Sequence, residues 1–447
     1  MNQTNLTQGS IISNIRRFSV PYMLSYFLQI LYGLADLFVI GQYCNVDNTT
    51  AVSNGGQVMY MVTVVLIGLA MGSTVCIGRA VGANNNRRVA SYIGNTASLF
   101  LIIAILLSGI LLFLSQNIIC WMDTPVEAVD GAIDYLTICF IGIPFIVAYN
   151  IIASIFRGMG DSKSPMYFVA VACVANIVLD YLFIGQCHLG ATGAALGTTL
   201  SQALSVAVAI VAIRRHKLLP EIHLADFRPN SKTIKELLKI GIPVALQDGF
   251  IQISFLAITV IANNRGLNDA AAVGIVEKFI GLLFIVPSAM LATVSTMAAQ
   301  NIGANKMDRA KTTMKYAMTI AAGFGVAVSI VLQFIPDMAV SIFTDNPTVI
   351  QLGGEYLRGY TWDCALAGIH FCFSGFFTAC GMSMISFAHN FISIVSARVP
   401  LAYLASNAYA DTLYPMGLAT VVGSFVSVVI CATAYGWLNR KHRLLAK

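Results

Sequence analysis

The sequence predicts an all-α polytopic membrane protein, with about twelve transmembrane helices in two tandem six-helix lobes. Its residues are 57% hydrophobic and only 10% charged, whereas about a quarter of the residues of a soluble domain are charged. Apolar windows of about 20 residues, long enough to cross a hydrocarbon core of about 30 Å, recur along the whole chain. The second half also repeats features of the first. Because the apolar runs lack the alternation of barrel strands, the spans are predicted to be helices.

The hydropathy pattern places the spans in order along the chain. Each span is a continuous apolar run bounded by polar or basic residues. The twelve predicted spans are 17–41, 52–77, 92–115, 131–156, 165–185, 191–213, 237–262, 271–298, 313–335, 354–379, 383–407 and 415–438.

The basic residues predict the topology. Of the 26 Lys and Arg residues, 22 lie in or beside the N-terminus, the C-terminus and the loops after even-numbered spans, while the opposite side has only Arg265 and Arg358. Cytoplasmic loops are enriched in Lys and Arg. We therefore expect a protein of the bacterial inner membrane with both termini on the cytoplasmic side. The net charge of +6 is therefore a topology signal, and no nucleic-acid partner is expected.

An internal duplication appears when the chain is aligned with itself at a shift of about 221 to 222 residues. Pro21 then meets Pro243, "VGANNNRRVA" meets "IGANKMDRAK", and Gly160 meets Gly381. We predict an N-lobe at 1–213, a cytoplasmic linker at 214–236 and a C-lobe at 237–447. Because each repeat has an even number of spans, a pseudo-twofold axis along the membrane normal is expected, which favours alternating access.

Two carboxylates interrupt the apolar spans of the first repeat. Asp36 lies in span 1 and Asp180 in span 5, and their repeat counterparts are apolar. A charged Asp near the bilayer centre costs about 2.5–3.5 kcal/mol on insertion scales, so it normally faces a bundle interior or cavity. Tyr32 and Asn176 each lie four residues earlier, on the same helical face. We predict that this set binds H+ or Na+, the alternative being a structural hydrogen-bonding role.

Several stretches resemble the MATE (multidrug and toxic compound extrusion) transporters, particularly the bacterial DinF-like branch. They are "GLADLFVIGQ", "GRAVGANN", "FRGMGDSKSP", "ANIVLDYLFIG" and "LGATGAALGTTLSQ". The resemblance implies export of amphipathic, often cationic organic compounds in exchange for H+ or Na+. It also implies an N-lobe ion site at the positions of Asp36, Asn176 and Asp180, whereas other branches place ion-binding acids in the C-lobe.

Other polar residues within the spans are candidates for a substrate cavity. They are Gln29, Asp248, Lys278, Asp363 and Arg398. For the charged residues of the second repeat, mutual charge neutralisation is the alternative interpretation. In span 6, Gly190, Gly193 and Gly197 are expected to permit close helix packing.

Other functions fit the sequence less well. His370 and His389 lie 19 residues apart, and no nucleophile, base or metal cluster appears, so we expect neither an enzyme nor a structural metal. A channel is disfavoured by the duplication. The alternative is a related carrier or flippase for a lipid-linked or nutrient substrate. We expect no cofactor apart from the coupling ion, only small organic substrates and membrane lipids as partners, and a monomer.

Overall fold

The computed structural model describes residues 5–122, 124–216 and 219–441, and within them the regular structure is entirely helical. The predicted all-α fold is thus confirmed. The α-helices are α1 (Ile11–Tyr43), α2 (Val46–Gly82), α3 (Asn86–Trp121), α4 (Val126–Gly158), α5 (Lys163–Asp180), α6 (Gly190–His216), α7 (Ser231–Asn263), α8 (Leu267–Leu283), α9 (Ile285–Gly303), α10 (Met307–Phe334), α11 (Pro336–Ser341), α12 (Pro347–Tyr360), α13 (Asp363–Ala379), α14 (Ser383–Ser393), α15 (Val399–Ala408) and α16 (Tyr414–Arg440).

The described helices follow the order of the predicted spans, but two spans are broken. Ten helical segments are each long and apolar enough to cross a membrane, and α8 and α9 add an eleventh span if they are taken together across a 40° bend. Predicted span 8 is therefore not straight. Predicted span 10 divides into α12 and the short apolar helix α13 at Thr361 and Trp362.

Two π-helical turns interrupt related regions of the repeats. One covers Tyr181–Gln186, directly after α5, and the other covers Ile394–Arg398, between α14 and α15. The second is followed by Pro400, which has no N–H to continue the ladder of hydrogen bonds. Such turns occur frequently at functional sites. Asp180 and Arg398 lie at their boundaries.

The chain divides into two compact units. Unit 1 contains Met1–Asn5 and Val20–Leu238, and unit 2 contains Leu6–Ser19 and Lys239–Lys447. The described part of the predicted linker at 214–236, which lacks residues 217 and 218, thus belongs to unit 1. In unit 1 it makes an ion pair between Asp226 and Arg87 at 3.0 Å.

The ends of related helices repeat the same backbone geometry. Asn84 and Asn305 have φ of 53° and 58°, and Gly160 and Gly381 have φ of 87° and 75°. At each of these four helix ends the following N–H donates to a carbonyl five residues back, at 2.8–3.0 Å. This is a left-handed helix end of the Schellman type. The recurrence at a spacing of 221 residues agrees with the predicted duplication.

One helix is central to the packing of each unit. In unit 1, α4 packs against α2, α3 and α6, and in unit 2, α13 packs against α9, α10 and α16. Close approach in unit 2 depends on small residues, because a Cβ on Gly375 would lie 2.6 Å from the Leu291 carbonyl oxygen. The second unit also contains an apolar core that includes Ile258 and Ala402.

Candidate functional site

The two first-repeat carboxylates meet in the interior of unit 1. Asp36 on α1 is 6% exposed, Asp180 at the end of α5 is 0% exposed, and Asn176 is 1% exposed. The Asp36 carboxylate lies beside both Asp180 and Asn176. We call Asp36 and Asp180 the carboxylate pair. The structure therefore brings together the three residues that sequence spacing and resemblance singled out.

A threonine on a third helix completes this group. The Thr198 hydroxyl on α6 donates a hydrogen bond to Asp36 Oδ2 at 3.2 Å. Thr198 lies within the quoted span 6 motif, but its spacing alone gave it no role because Thr is common in apolar helices. Three helices, α1, α5 and α6, thus supply the polar atoms.

Most polar atoms of the group have no protein partner. Among the described residues, Asp36 Oδ1, both Asp180 oxygens and both Asn176 side-chain polar atoms lack a hydrogen bond, although buried polar groups are usually satisfied. The three ion pairs found in the described part of the chain do not include Asp36 or Asp180. Oxygen atoms in this arrangement suit a proton or a hard cation.

Gly197 on α6 creates the space that Asp180 occupies. A Cβ at Gly197 would overlap Asp180 Oδ1, and the next atom it would meet is Cγ of the same carboxylate at 3.4 Å. A Cβ at Gly193 would instead approach Phe183 and Leu189 at 3.1–3.2 Å. Gly193 therefore permits close packing, as expected for the span 6 glycines, and Gly197 leaves room for the Asp180 carboxylate.

The two other first-repeat candidates lie near the carboxylate pair to different extents. Tyr32 is an electrostatic neighbour of Asp36 and also lies near Tyr149 and Cys139. Gln29 places its amide beside the Tyr149 hydroxyl. Tyr32 is thus a direct neighbour of the pair, while Gln29 is connected to it through aromatic residues.

Unit 2 cannot form the same site. At the 222-residue offset, Asp36 and Asp180 correspond to Ile258 and Ala402, and both of these residues belong to the apolar core. Asn176 corresponds to Arg398. The predicted asymmetry between the repeats is thus visible in the packing.

Arg398 is the centre of a separate charged group in unit 2. Its guanidinium Nη2 donates to the Tyr360 hydroxyl at 3.1 Å, and its Cζ lies 4.6 Å from the centre of the Phe255 ring. Asp363 and Glu277 are its acidic neighbours, but no ion pair joins them to Arg398 within the described residues. The Asp363 carboxylate lies beside the Ser424 hydroxyl.

The remaining candidates of the second repeat are not part of this group. Lys278 is exposed and takes part in none of the ion pairs found among the described residues. Asp248 is half-buried and lies beside the Gln247 side chain. Glu277, next to Lys278, instead accepts a hydrogen bond from Thr259 at 3.3 Å. Of the charged residues proposed for the substrate cavity, the structure thus places Asp363 and Arg398 near each other, with Glu277 also near Arg398.

A duplicated helical membrane protein with a buried carboxylate pair inside one repeat has the features of a secondary transporter. The MatE family model matches residues 21–182 and again residues 243–404. The chain therefore belongs to the MatE family, and the predicted membership is confirmed. The two matches are offset by 222 residues at both ends, in agreement with the duplication.

Relatives cover nearly the whole chain. The chain is 28% identical to the probable multidrug resistance protein YpnP of Bacillus subtilis, over 91% of each protein. It is 24% identical to the multidrug export protein MepA of Staphylococcus haemolyticus, over 97% of this chain and 95% of that protein.

Solved structures share the fold. A crystal structure of MATE in complex with MaL6 has a TM-score of 0.90 at 23% identity and covers 99% of this chain and 98% of that one. A MOP superfamily transporter from Pyrococcus furiosus has the same TM-score and the same coverages at 22% identity.

Proposed function

We propose that this protein is an antiporter that exports amphipathic, often cationic organic compounds in exchange for H+ or Na+, by alternating access. The observation that carries the proposal is the buried carboxylate pair, with its unpartnered oxygens and without a basic partner in the described residues. The names of the relatives, which include multidrug export proteins, support the substrate class.

The pair is suited to bind one positive charge at a time. Two adjacent carboxylates in a low dielectric repel each other when both are ionised, and a proton or a sodium ion relieves this repulsion. Such a pair binds its ion as a unit. Thr198 orients the Asp36 carboxylate through its hydrogen bond. Asn176 lies beside Asp36 as a further polar group, and Tyr32 is a weaker neighbour.

Coupling follows if the ion and the organic compound favour different states of the protein. An ion bound from outside stabilises the state that releases the compound outward, so the two ligands share one equilibrium. One proton moving down about 100 mV releases about 2.3 kcal/mol, which sustains about a fiftyfold gradient of a neutral compound. A monovalent cation leaving the cell consumes the same electrical term. One-for-one exchange of such a cation is therefore expected to be electroneutral.

Proteoliposomes loaded with a pH indicator test the proposal, with ethidium as the organic cation. We expect ethidium movement to drive counterflow of protons, or of sodium in a sodium gradient. Asp36→Asn and Asp180→Asn should each abolish this coupling and leave the protein folded, because Asn preserves the shape of the side chain. Asp248→Asn is the matched control and should only weaken ethidium affinity.

Two results would contradict the proposal in different ways. If Asp36→Asn and Asp180→Asn both kept coupling near the wild-type level, the carboxylate pair would not be the ion site. Transport of a lipid-linked sugar without any effect of ethidium or of an ion gradient would favour the alternative, a flippase.

A further inference from the structure

Unit 2 contains a buried pair of histidines that the proposed ion site does not use. His370 on α13 is 4% exposed and His389 on α14 is 0% exposed, and their ring centroids are 5.6 Å apart. His370 Nε2 is 3.4 Å from Ser424 Oγ, and His389 Nε2 is 2.7 Å from Ser374 Oγ. Neither Nδ1 atom has a partner among the described residues. We call His370 and His389 the histidine pair.

Hydroxyl groups extend from the histidine pair along one side of α13. Asp363, His370, Ser374 and Thr378 are spaced by seven, four and four residues, so they share one face of the helix. The Ser386 hydroxyl on α14 donates to the Ser374 carbonyl oxygen at 3.0 Å and lies 3.4 Å from Thr378 Oγ1. From Asp363 to Thr378 this face rises about 22 Å. By the predicted topology, the Thr378 end is cytoplasmic.

The charges that face the histidine pair come from few elements. Helix α9 contains no titratable residue, and α10 contains none after Tyr316. On α16 the titratable residues between its ends are Cys431 and Tyr435, and Tyr435 packs on Phe373 and Phe376. Within the described residues, Arg398 is a charged neighbour of both His370 and Asp363. Tyr356, Tyr360 and Cys364 are further neighbours of Asp363, and Glu277 is a neighbour of Arg398. Asp363 and Arg398 have opposite charges.

Packing alone does not account for two histidines at these positions. At the 222-residue offset, His370 corresponds to Ala148 and His389 to Tyr167, so the repeated fold does not require imidazoles there. A histidine with a purely structural role normally has both nitrogens satisfied when it is buried. Here Nε2 of each ring meets a hydroxyl, and His389 Nε2 also lies 3.4 Å from Asn390 Nδ2. Neither Nδ1 has a partner in the described part of the chain. A neutral imidazole whose Nε2–H donates to a hydroxyl has a free lone pair at Nδ1, which can accept a proton.

We propose that the histidine pair is a second proton-binding site, which takes up and passes on one proton in each transport cycle. The proposal rests on the proposed antiport. A proton arrives from the side of Asp363 and Ser424 and forms an N–H bond at His370 Nε2 as an O–H bond breaks. Because the ring centroids are 5.6 Å apart, two positive charges would repel each other, so only one of the two imidazoles is protonated to imidazolium at a time. On release an N–H bond at His389 Nε2 breaks on the side of Ser374 and an O–H bond forms on the acceptor, so each step moves one proton and changes no oxidation state.

The direct test is a proton titration of the purified full-length protein without any transported compound. Between pH 5 and pH 8 the wild type should bind one proton more per molecule than the double variant His370→Gln/His389→Gln. A difference of zero would show that the pair never ionises, and a difference of two would show independent histidines. Either result would overturn the proposal. Cys372→Ala, a buried substitution on the same helix, should leave the titration unchanged.

A measurement on the wild type covers the case in which the double variant does not fold. Hydrogen–deuterium exchange at the imidazole C2 position, followed by mass spectrometry, reports ionisation of each histidine separately. We expect a pH-dependent exchange rate at His370 or His389. A rate at both residues that is independent of pH from 5 to 8 would overturn the proposal.

A transport assay links the pair to coupling. If the carboxylate pair and the histidine pair each bring in one proton, ethidium export by the wild type moves one net charge inward and accelerates when the inside is made negative. The His370→Gln/His389→Gln variant should export ethidium without this dependence on potential. Export by the wild type that is insensitive to potential would show that the histidine proton is not coupled. Failure of Asp36→Asn to abolish coupling would instead contradict the proposed function and leave the histidine titration as it stands.

Discussion

Gly197→Ala is the substitution that most sharply tests the geometry of the carboxylate pair. The new methyl group would overlap Asp180 Oδ1, so the carboxylate must move by on the order of 1 Å to reach an ordinary contact distance. The displaced atom is the tip of a side chain that can rotate. The added methyl group therefore changes the position of the carboxylate more than it strains the backbone.

The expected size of the effect follows from this geometry. Overpacking a well-packed site typically destabilises a protein by about 1–3 kcal/mol, and rotation of Asp180 should keep the value at the lower end. A displacement of about 1 Å of a positioned group lowers activity by about 10²-fold. We therefore expect ion-coupled export to fall by about 10²-fold, with an apparent free energy of unfolding within about 1–2 kcal/mol of the wild type.

Ion-driven ethidium export in proteoliposomes and thermal unfolding of the same samples measure the two effects. Gly33→Ala is the matched control, because a Cβ at Gly33 on α1 meets no atom within 4 Å. It should leave export unchanged and stabilise its helix by about 0.5–1 kcal/mol. Export by Gly197→Ala within a factor of three of the wild type would refute the reasoning, since Asp180 would then tolerate displacement. Equal losses in both variants would point to a general effect on helix packing.

Three other predictions concern residues within unit 1. Thr198→Val should weaken ion binding about fivefold, which corresponds to about 1 kcal/mol for one hydrogen bond, whereas Thr198→Ser should leave ion binding unchanged. The ion concentration at half-maximal transport measures this affinity. Asp226→Ala removes the ion-pair partner of Arg87, so it should lower the unfolding temperature and speed trypsin cleavage of the linker. An unchanged cleavage rate would show that the ion pair does not fix the position of the linker. Lys232→Cys, in a cysteine-free background, should not react with a membrane-impermeant maleimide added outside cells, whereas Asp47→Cys should; the reverse pattern would invert the topology.

The sequence was sufficient for those features that depend on composition and spacing. Apolar length predicted the spans, and the offset of Gly160 and Gly381 predicted a duplication that recurs in the backbone. Asp36, Asn176 and Asp180 could be singled out because a carboxylate or amide in an apolar span has few functions. Each of these signals lies within one helix or in its repeat partner.

Features that depend on contacts between helices were not predictable in this way. Thr198 and Gly197 lie at the carboxylate pair because α6 faces both acids, Thr198 meeting Asp36 and Gly197 meeting Asp180. Neither residue type is unusual in an apolar helix. The histidine pair was set aside because its members are 19 residues apart, yet α13 and α14 bring their rings together. The break between α12 and α13 contains no proline and has no local sequence signal.

The two repeats share a fold but have distributed their polar residues differently. In unit 1, two acids and an amide occupy the contact between α1, α5 and α6, where unit 2 has Ile258 and Ala402 in an apolar core. In unit 2, the polar residues instead follow α13, the counterpart of α4. A single proton cannot drive a monovalent cation outward against a membrane potential without a pH gradient, because the two charges cancel. A second proton, bound outside the carboxylate pair, would move one net positive charge inward and so let the membrane potential drive export. Divergence of the two repeats is the simplest physical route by which one duplicated fold could acquire two different sites.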